Sequence, residues 1–461
     1  MPFINRTIEL ADLEQRWEAG KPECFIVYGK RRVGKTELVK HFIQGKHAVY
    51  FLADKRAMID QLREVARLIG EAFHDEVITR QGFDSWLDVF AYLKRNVHDR
   101  FILAVDEFPY LTEVDPAISS IFQKGWDEYL HGSNIMLVLL GSSIAMMESQ
   151  VLLEKAPLFG RRTGQQLLQP LTFAQSQKFF PHTSFRDALE IYTITGGMPA
   201  YLMQMEEDRT LEENVKQHIF PTTEFLHNEI EFILKEELRE PKHYLSILRA
   251  IALNKRKLSE IVNETGLPTP KVNVYLQTLA HLHITERELP VTEMNPEKSR
   301  KGLYRLRDNF FRFWFQYVFP YKSDLEIRRY DEVLRKFHEQ FQLLVSKVYE
   351  DICRELVREF RQPFSVERVG NWWEKNEELD IVGLSTRENS ILFGECKWSE
   401  KQVGTNIYRE LQRKAKLVQW GKPGRKEFFL LCSKSGFTPD MLTLAKQDHI
   451  VLVQEGKVLN Q

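Results

Sequence analysis

The sequence has few cysteines and no long apolar run, and each shortage argues against a class of protein. Its 461 residues include only Cys24, Cys353, Cys396 and Cys432, with no C-x-x-C pair. This usage indicates reduced thiols in a reducing compartment and argues against a zinc site. The longest apolar run, 135–140, has the length of a buried strand and is far too short to span a membrane. The chain also begins without a signal-peptide pattern, so we expect a cytoplasmic protein without membrane association.

The chain also lacks an excess of charge of either sign. It has 64 Lys and Arg against 65 Asp and Glu, for a formal net charge of −1. A surface that is basic overall is therefore excluded, and any nucleic-acid binding must come from a local patch. The length exceeds that of one typical domain, so we expect three domains, at residues 1–205, 206–335 and 336–461.

The most informative stretch lies near the amino terminus. An apolar strand at 25–28 leads into the spacing G-x-x-x-x-G-K-T, and a helical pattern follows. Glycines permit positive φ and a close approach to phosphate, while successive amides and the helix start form an anion site. Lys35 would neutralise the β- and γ-phosphates, and the Thr36 hydroxyl would ligate Mg²⁺. The pattern predicts an ATP phosphate-binding loop formed by Gly29, Lys30, Arg31, Arg32, Val33, Gly34, Lys35 and Thr36.

An apolar strand that ends in two acidic residues supplies the expected partner of this loop. Residues 101–105 are followed by Asp106 and Glu107, one strand–helix unit after the loop. We expect Asp106 to reach Mg²⁺ and Glu107 to orient or deprotonate the attacking water. Because strands and helices alternate here, the first domain is predicted to be α/β with a parallel sheet.

Two further motifs in this domain have alternative interpretations. The hydroxyl pair of Ser142 and Ser143, after the strand at 135–140, would sense the γ-phosphate by hydrogen bonding, or the segment is an ordinary turn. Arg161 and Arg162 would stabilise transition-state charge or sense hydrolysis, or they lie in a solvated loop.

These motifs, with Gly196-Gly197-Met198-Pro199, resemble the archaeal-type ATPases, in the signal-transducing (STAND) branch of the AAA-related P-loop ATPases. The matching motifs occur in the same order as in the family, throughout the first domain. The resemblance implies that Pro199 lies near the nucleotide base and couples its state to the helices that follow. It also implies a nucleotide-driven switch that is able to form a homo-oligomer.

The middle domain has the pattern of a winged helix, with three helical segments followed by two short strands. Such modules read DNA with the second helix of a pair, whose outward residues here would be Lys271, Asn273, Gln277 and His281. Because that set has one fixed positive charge, we favour the alternative of an internal lever. The aromatic segment 310–320 is interpreted as a buried helix rather than as a platform for stacking bases.

The last domain is predicted to be a mixed α/β sheet with a carboxylate site. A helical period over 341–360 carries Glu350, and a short strand is expected near 365–369. Asp380 and the Glu395-x-Lys397 pair lie on the two strands of an expected hairpin. Residues two apart in a strand share a face, so these side chains are expected to converge. Asp380, Glu395 and the Cys396 carbonyl would hold Mg²⁺ or Mn²⁺, and Lys397 would orient water or neutralise charge.

This order of acidic residues and lysine resembles the PD-(D/E)XK nucleases, with Leu379 at the position of the motif's proline. The resemblance implies a restriction-endonuclease-like fold and cleavage of a DNA phosphodiester. A basic stripe of Arg409, Arg413 and Lys416, with Arg425 nearby, would contact a phosphate backbone or form a solvated face. Two hypotheses follow: an ATP-hydrolysing switch joined to a metal-dependent DNA nuclease-like module, or a regulatory ATPase whose last domain binds DNA or protein without cutting.

Overall fold

The computed structural model describes residues 3–238, 240–359 and 363–459. The helices are α1 (Thr7–Glu18), α2 (Lys35–Phe42), α3 (Met58–Phe73), α4 (Glu76–Gln81), α5 (Trp86–Asn96), α6 (Phe108–Val114), α7 (Ile118–Gly125), α8 (Ile144–Met147), α9 (Phe173–Ser176), α10 (Phe185–Thr195), α11 (Pro199–Leu202), α12 (Leu211–His218), α13 (Phe225–Glu237), α14 (Pro241–Ala252), α15 (Leu258–Thr265), α16 (Thr269–His281), α17 (Asn309–Tyr317), α18 (Lys322–Glu326), α19 (Asp331–Leu356), α20 (Thr405–Ala415) and α21 (Pro439–Gln447). The strands are β1 (Glu23–Tyr28), β2 (Ala48–Leu52), β3 (Phe101–Asp106), β4 (Ile135–Gly141), β5 (Gly164–Leu167), β6 (Thr285–Glu288), β7 (Leu303–Leu306), β8 (Arg368–Glu374), β9 (Glu377–Ser385), β10 (Ser390–Lys397), β11 (Lys426–Ser433), β12 (Val451–Gln454) and β13 (Lys457–Val458).

The first of two compact units comprises residues 1–179, 197–204 and 231–239. Its sheet has the strand order β2-β3-β4-β1-β5, and all of its strand pairs are parallel. Every residue of β1, β3 and β4 is buried. Continuous burial is what a parallel sheet covered by helices requires, because neither face meets water. The predicted parallel α/β sheet is confirmed.

Aromatic side chains fill the core of this unit on one side of the sheet. The rings of Trp86, Phe90 and Phe122 pack together at centroid distances of 4.9 to 6.0 Å. Helix α3 adds Leu62, Val65, Ala66 and Ile69, which recur at the spacing of one helix face. The strands are thereby held rigidly, and their carboxyl ends meet at one edge of the sheet.

The second unit comprises residues 180–196, 205–230 and 240–461. Helices α14, α15 and α16 are followed by an antiparallel pair, β6 and β7, in which Thr285 is opposite Leu306. These elements match the predicted sequence of three helices and two strands, and the winged-helix interpretation stays a prediction. The aromatic helix α17 is buried along its length, and its Trp314 Nε1 donates to the His227 carbonyl at 2.7 Å. Burial rather than exposure to bases is confirmed for α17.

A mixed sheet ends the chain, with the order β13-β12-β11-β10-β9-β8. Strands β8, β9 and β10 are antiparallel neighbours, whereas β10, β11 and β12 pair in parallel. The expected hairpin of β9 and β10 is confirmed. A strand was expected near 365–369, and β8 instead begins at Arg368 and includes Trp372, whose ring is buried in the core.

The long helix α19 begins ten residues earlier than the predicted start at 341. Val333, Leu334 and Phe337 are buried and extend the same apolar face toward the amino end. The predicted end at Phe360 lies outside the described residues. Although α19 is long, neither it nor any other helix in the described ranges has the continuous apolar character needed to cross a bilayer.

Candidate nucleotide site and a second carboxylate site

At two positions, the loop between β1 and α2 has a backbone conformation that only glycine adopts easily. Gly29 has φ 151°, and a Cβ at this position would lie 2.5 Å from the Leu168 carbonyl oxygen. Gly34 has φ 95° and caps the amino end of α2. Glycine at both positions keeps the loop open, with the helix start facing the space where an anion would bind.

Lys35 is buried inside this loop, with 4% of its surface exposed. Its ammonium group donates to the carbonyl oxygens of Gly29 and Lys30, both at 3.0 Å. Burial lowers the pKa of Lys35 to about 8, although Glu107 and Asp106 nearby favour the charged form. A phosphate group in the loop would offer this ammonium an anionic acceptor in place of two neutral carbonyls.

The structure brings Thr36 and Asp106 together at the end of β3. Thr36 Oγ1 donates to Asp106 Oδ2 at 2.6 Å, and the Tyr50 hydroxyl donates to the same oxygen at 2.5 Å. The Glu107 amide donates to Asp106 Oδ1 at 2.8 Å. A hydroxyl beside a carboxylate is a suitable pair of oxygen ligands for Mg²⁺, so these residues fit the expected ion. Tyr50 was not predicted, since nothing in its strand pattern marks a polar contact.

Glu107 and the two serines after β4 take part in a further set of hydrogen bonds. Glu107 has φ 52°, and its carboxylate accepts from the Ser142 hydroxyl at 2.5 Å and the Ser142 amide at 3.2 Å. Ser143 caps α8 and donates to Glu237 Oε2 at 3.1 Å. Of the predicted hydroxyl pair, Ser142 is the residue that contacts Glu107, and the sensing role of both serines stays a prediction.

The acidic end of α13 reaches the phosphate-binding loop. Glu236 forms an ion pair with Arg31, whose guanidinium lies 5.0 Å from the centre of the Phe232 ring. Burial raises the pKa of Glu237 to about 7, and attraction to Lys35 partly opposes this rise. Sequence reasoning missed both carboxylates, because about 200 residues separate them from the loop in the chain.

Pro199 and Arg6 flank the loop on other sides. The Pro199 ring would lie 3.9 Å from a Cβ built on Gly34, so it borders the loop, and its position near the nucleotide base stays a prediction. Arg6 donates to the Val33 carbonyl at 2.8 Å and to Glu9 at 2.9 Å. Arg6 therefore braces the loop from the preceding helix.

The two predicted arginines have local partners. Arg161 forms an ion pair with Asp127 at 2.9 Å, and Arg162 donates to the Leu152 carbonyl at 2.8 Å. Both contacts lie within the first unit, and neither partner is a residue of the loop. Their part in hydrolysis stays a prediction.

A second group of carboxylates lies in the carboxyl-terminal sheet. Asp380 Oδ2 accepts from the Cys396 amide at 2.8 Å, which places it beside the strand of Glu395 and Lys397. Lys397 Nζ donates to Glu395 Oε1 at 2.7 Å. The structure thus brings Asp380, Glu395 and Lys397 together, and their catalytic role stays a prediction.

Burial and mutual repulsion destabilise the charged forms of two of these carboxyl groups, which favours the binding of a cation. Burial raises the pKa of Asp380, and the carboxylate of Glu395 adds to the rise. Burial and the nearby Asp380 likewise raise the pKa of Glu350 on α19. A divalent ion would relieve this repulsion and would find hard oxygen ligands, so the residues fit Mg²⁺ or Mn²⁺.

Two lysines that sequence reasoning missed complete this second site. Lys414 Nζ on α20 lies 3.3 Å from Glu395 Oε2, and Lys347 Nζ lies 3.1 Å from Glu350 Oε1. Lys414 follows Leu411 by three residues, so it shares the buried side of α20, and that spacing was the available signal.

The basic stripe expected to contact DNA is partly used within the protein. Arg413 forms ion pairs with Glu377 and Glu410, both at 2.7 Å. Arg425 donates to the carbonyls of Val418 and Trp420 at 2.6 and 2.9 Å, so it holds the end of α20. Arg409 and Lys416 are exposed.

Partly buried ion pairs fix the rotation of α19. Asp351 is paired with Arg305 at 2.7 Å, with Arg312 at 3.5 Å and with Arg354, which also donates to the Asp380 carbonyl. These arginines overcome the effect of burial and hold the pKa of Asp351 far below its usual range. Since Glu350 precedes Asp351, the network also sets the direction in which Glu350 points.

Comparison with known proteins identifies the family. Uncharacterized protein MJECL04 of Methanocaldococcus jannaschii is 33% identical over 420 residues, which cover 90% of this chain and 92% of the relative. This chain belongs to the same family. Residues 3–205 match the family described as "ATPase domain predominantly from Archaea", and residues 314–409 match "Archaea bacterial proteins of unknown function".

Two further likenesses concern the first domain and the fold. Uncharacterized ATP-binding protein MJ0423 of M. jannaschii is 50% identical over 44 residues, which cover 10% of this chain and 75% of that protein. The Walker-type ATPase paby2304 of Pyrococcus abyssi is similar in structure, with a TM-score of 0.52 and 19% identity over 68% of this chain and 96% of that one. The amino-terminal region is therefore an archaeal-type ATPase domain with a P-loop ATPase fold.

Replacing Gly29 with alanine tests the loop geometry. The added Cβ would meet the Leu168 carbonyl at 2.5 Å, so the loop must shift and ATP binding should weaken by roughly tenfold or more. Gly45→Ala is the matched control, since Gly45 also has positive φ, 73°, but has no atom within 4 Å of the new Cβ. ATP affinity measured by calorimetry should fall only in the first variant. Equal affinities would contradict the proposed role of the loop.

Proposed function

We propose that the protein is an ATP-hydrolysing switch of the STAND type, coupled to a metal-dependent DNA nuclease-like module. The proposal for the nuclease-like half rests on one observation. Asp380 accepts from the Cys396 amide and so lies beside Glu395 and Lys397 on β10, and burial together with the Glu395 carboxylate raises the pKa of Asp380, an unfavourable interaction that a bound cation would relieve.

In the ATPase domain each residue has a defined part. Lys35 neutralises charge on the β- and γ-phosphates, and Thr36 and Asp106 hold Mg²⁺. Glu107, oriented by Ser142, positions the attacking water or takes its proton. Pro199 reports the state of the nucleotide to the helices that follow.

In the nuclease-like module the carboxylates of Asp380 and Glu395, with the Cys396 carbonyl, hold a divalent ion. Such an ion lowers the pKa of a bound water and stabilises charge on a scissile phosphate. Lys397 orients the water or neutralises the developing charge, and Glu350 supplies an additional acid. Lys414, beside Glu395, is placed to bind the phosphate backbone of the substrate.

The second candidate is a regulatory ATPase whose last domain binds DNA or protein without cutting. One observation favours it. Lys397 and Lys414 both form ion pairs with Glu395, so two ammonium groups already neutralise the charge of this carboxylate. Cleavage assays separate the two candidates.

Glu236 and Glu237, at the acidic end of α13, form a candidate latch, a pair of carboxylates that would restrain the nucleotide site until ATP binds. Glu236 binds Arg31, and Glu237 binds Ser143 and attracts Lys35, so carboxylates occupy partners that phosphates would use. Helix α13 begins among residues of the second unit and ends among residues of the first. ATP would compete with these carboxylates, and their release would be transmitted along the same helix.

Lys35→Ala should abolish ATP hydrolysis and weaken ATP binding by more than about tenfold, because a charge-assisted contact is lost. Lys21→Ala is the control, since Lys21 is exposed before β1. Phosphate release and nucleotide affinity are the readouts. Normal turnover by the Lys35 variant would end the ATPase half of the proposal.

Asp380→Asn should abolish cleavage of DNA in the presence of Mg²⁺ or Mn²⁺, because it removes one carboxylate from the cation site. Asp440→Asn, an exposed change at the start of α21, is the matched control. Supercoiled, linear and branched DNA should be incubated with and without ATP. Absence of cleavage by the wild type, or unchanged cleavage by the Asp380 variant, would favour the non-cutting candidate.

Glu237→Gln should raise the basal rate of ATP hydrolysis several-fold, because the latch loses its charge while keeping its shape. Glu240→Gln, an exposed change just beyond the helix, should leave the rate unchanged. A rate in the Glu237 variant equal to that of the wild type would show that the latch does not restrain the site.

The same latch should respond to pH. The pKa of Glu237 is raised to about 7, so its carboxyl group is neutral below this pH and charged above it. Its attraction to Lys35 is present only in the charged form. Wild type and Glu237→Gln should therefore hydrolyse ATP at similar rates about one unit below this pKa and diverge about half a unit above it, where most of the Lys35 ammonium, with its pKa of about 8, is still charged. A constant ratio of the two rates across this range would contradict the assignment.

A further inference from the structure

Three of the four cysteines meet at one buried point in the second unit. Cys353 lies on α19, Cys396 on β10 and Cys432 on β11. Cys396 and Cys432 are direct neighbours in the parallel register, so their side chains leave the sheet on the same face. The three sulfur atoms lie within 4.8 Å of one another, and all three residues are buried. The scattered spacing that argued against a metal site hid a cluster that only the fold creates.

The donor set points to a soft metal. Over residues 3–238, 240–359 and 363–459, this is the one group of three or more His, Cys, Asp or Glu side chains with all ligand atoms so close. Its ligand atoms are sulfur alone, and thiolates select Cu⁺, Zn²⁺ and related ions rather than Mg²⁺ or Mn²⁺. The site is thus chemically distinct from the neighbouring carboxylates.

A buried hydroxyl beside the cluster has only a weak acceptor. Tyr349 lies one helical turn before Cys353 and has no exposed surface, and among the described residues its hydroxyl meets the Cys353 sulfur but no oxygen or nitrogen acceptor. Burial raises the pKa of Tyr349, and the three thiols add to the rise. A buried hydroxyl without a good acceptor is costly. A thiolate in the cluster would accept its hydrogen bond more strongly and reduce that cost.

We propose that Cys353, Cys396 and Cys432 together bind one soft, thiophilic metal ion, with Cu⁺ as the preferred occupant. The reason for this preference is coordination number. Structural Zn²⁺ takes four ligands, whereas the group contains three sulfurs and no histidine or carboxylate within the described residues. Three metal–sulfur bonds of about 2.3 Å require sulfurs about 4 Å apart, so shifts of less than about 1 Å suffice from separations of at most 4.8 Å.

The binding step balances in charge and atoms. Three S–H bonds lose their protons to solvent as three metal–sulfur bonds form, and nothing is oxidised. A Cu⁺ ion with three thiolates leaves a net charge of −2. The Lys397 ammonium, which acts electrostatically on Cys396, partly offsets this charge, whereas the Asp380 carboxylate acts on Cys396 in the opposite sense.

The cluster adjoins the second carboxylate site through one residue. Cys396 stands between Glu395 and Lys397, and its amide holds the Asp380 carboxylate at 2.8 Å. A metal ion bound to its sulfur would therefore stiffen the strand that positions this site. The metal-binding proposal does not depend on DNA cleavage.

The test is an anaerobic titration of the full-length, reduced, metal-free chain with Cu⁺ supplied from a chromophoric Cu⁺ chelator, with a parallel arm using Zn²⁺. We expect one ion per chain, with release of protons and a higher temperature of thermal unfolding. Cys353→Ser and Cys432→Ser should lose this ion. Cys24→Ser is the matched control, since Cys24 is buried in β1 of the first unit and should leave binding unchanged.

Two further measurements keep the result interpretable if a serine variant folds poorly. X-ray absorption of the loaded wild type should show sulfur ligands only, at roughly 2.3 Å. Tyr349→Phe, which keeps all three sulfurs, should bind one ion with affinity reduced several-fold. Binding of Zn²⁺ that requires Cys353 would support a soft-metal site and replace Cu⁺ as its occupant.

Three results would overturn the proposal. The first is the absence of binding of either ion at one per chain. The second is equal binding by the wild type and the Cys353 variant. The third is displacement of the ion by excess Mg²⁺, which would place it on the carboxylates instead.

Discussion

The parallel order of the first sheet is the constraint on which the nucleotide site depends. Strands β1, β3 and β4 are adjacent or nearly so and point the same way, so their carboxyl ends share one edge. The phosphate-binding loop, Asp106 and Ser142 each follow one of these strands. Because the strands are buried on both faces, a shift of any one would disrupt the core before it changed the site. The chemistry is thereby placed by packing rather than by flexible loops.

Local sequence pattern was sufficient to predict much of the first sheet and of the nucleotide site. The loop from Gly29 to Thr36 and the end of β3 are marked by short spacings whose conformational requirements are visible in the chain itself. The strands and the long amphipathic helices likewise follow from apolar periodicity. The early start of α19 was missed because its first turns are rich in charge, although Val333 and Phe337 continue the buried face.

Contacts made between distant segments could not be predicted. Glu237 reaches Ser143 only because of the path that the chain takes after the ATPase domain, and its acidic neighbourhood resembles an ordinary solvated helix. The convergence of Cys353, Cys396 and Cys432 requires the parallel register of β10 on β11 together with the rotation of α19. Asp351 and its arginines set that rotation, and no spacing rule identifies such a network.

The hydrogen bonds at Asp106 have a consequence for the order of ligand arrival. One carboxylate oxygen already receives hydroxyl protons from Thr36 and Tyr50. An incoming Mg²⁺ ion would have to displace the Thr36 proton and compete with the Tyr50 hydroxyl for that oxygen, so a bare ion would bind weakly. A triphosphate would offer the cation additional oxygen ligands, which would offset the cost of this rearrangement. These contacts therefore predict that a cation would bind together with the nucleotide rather than before it.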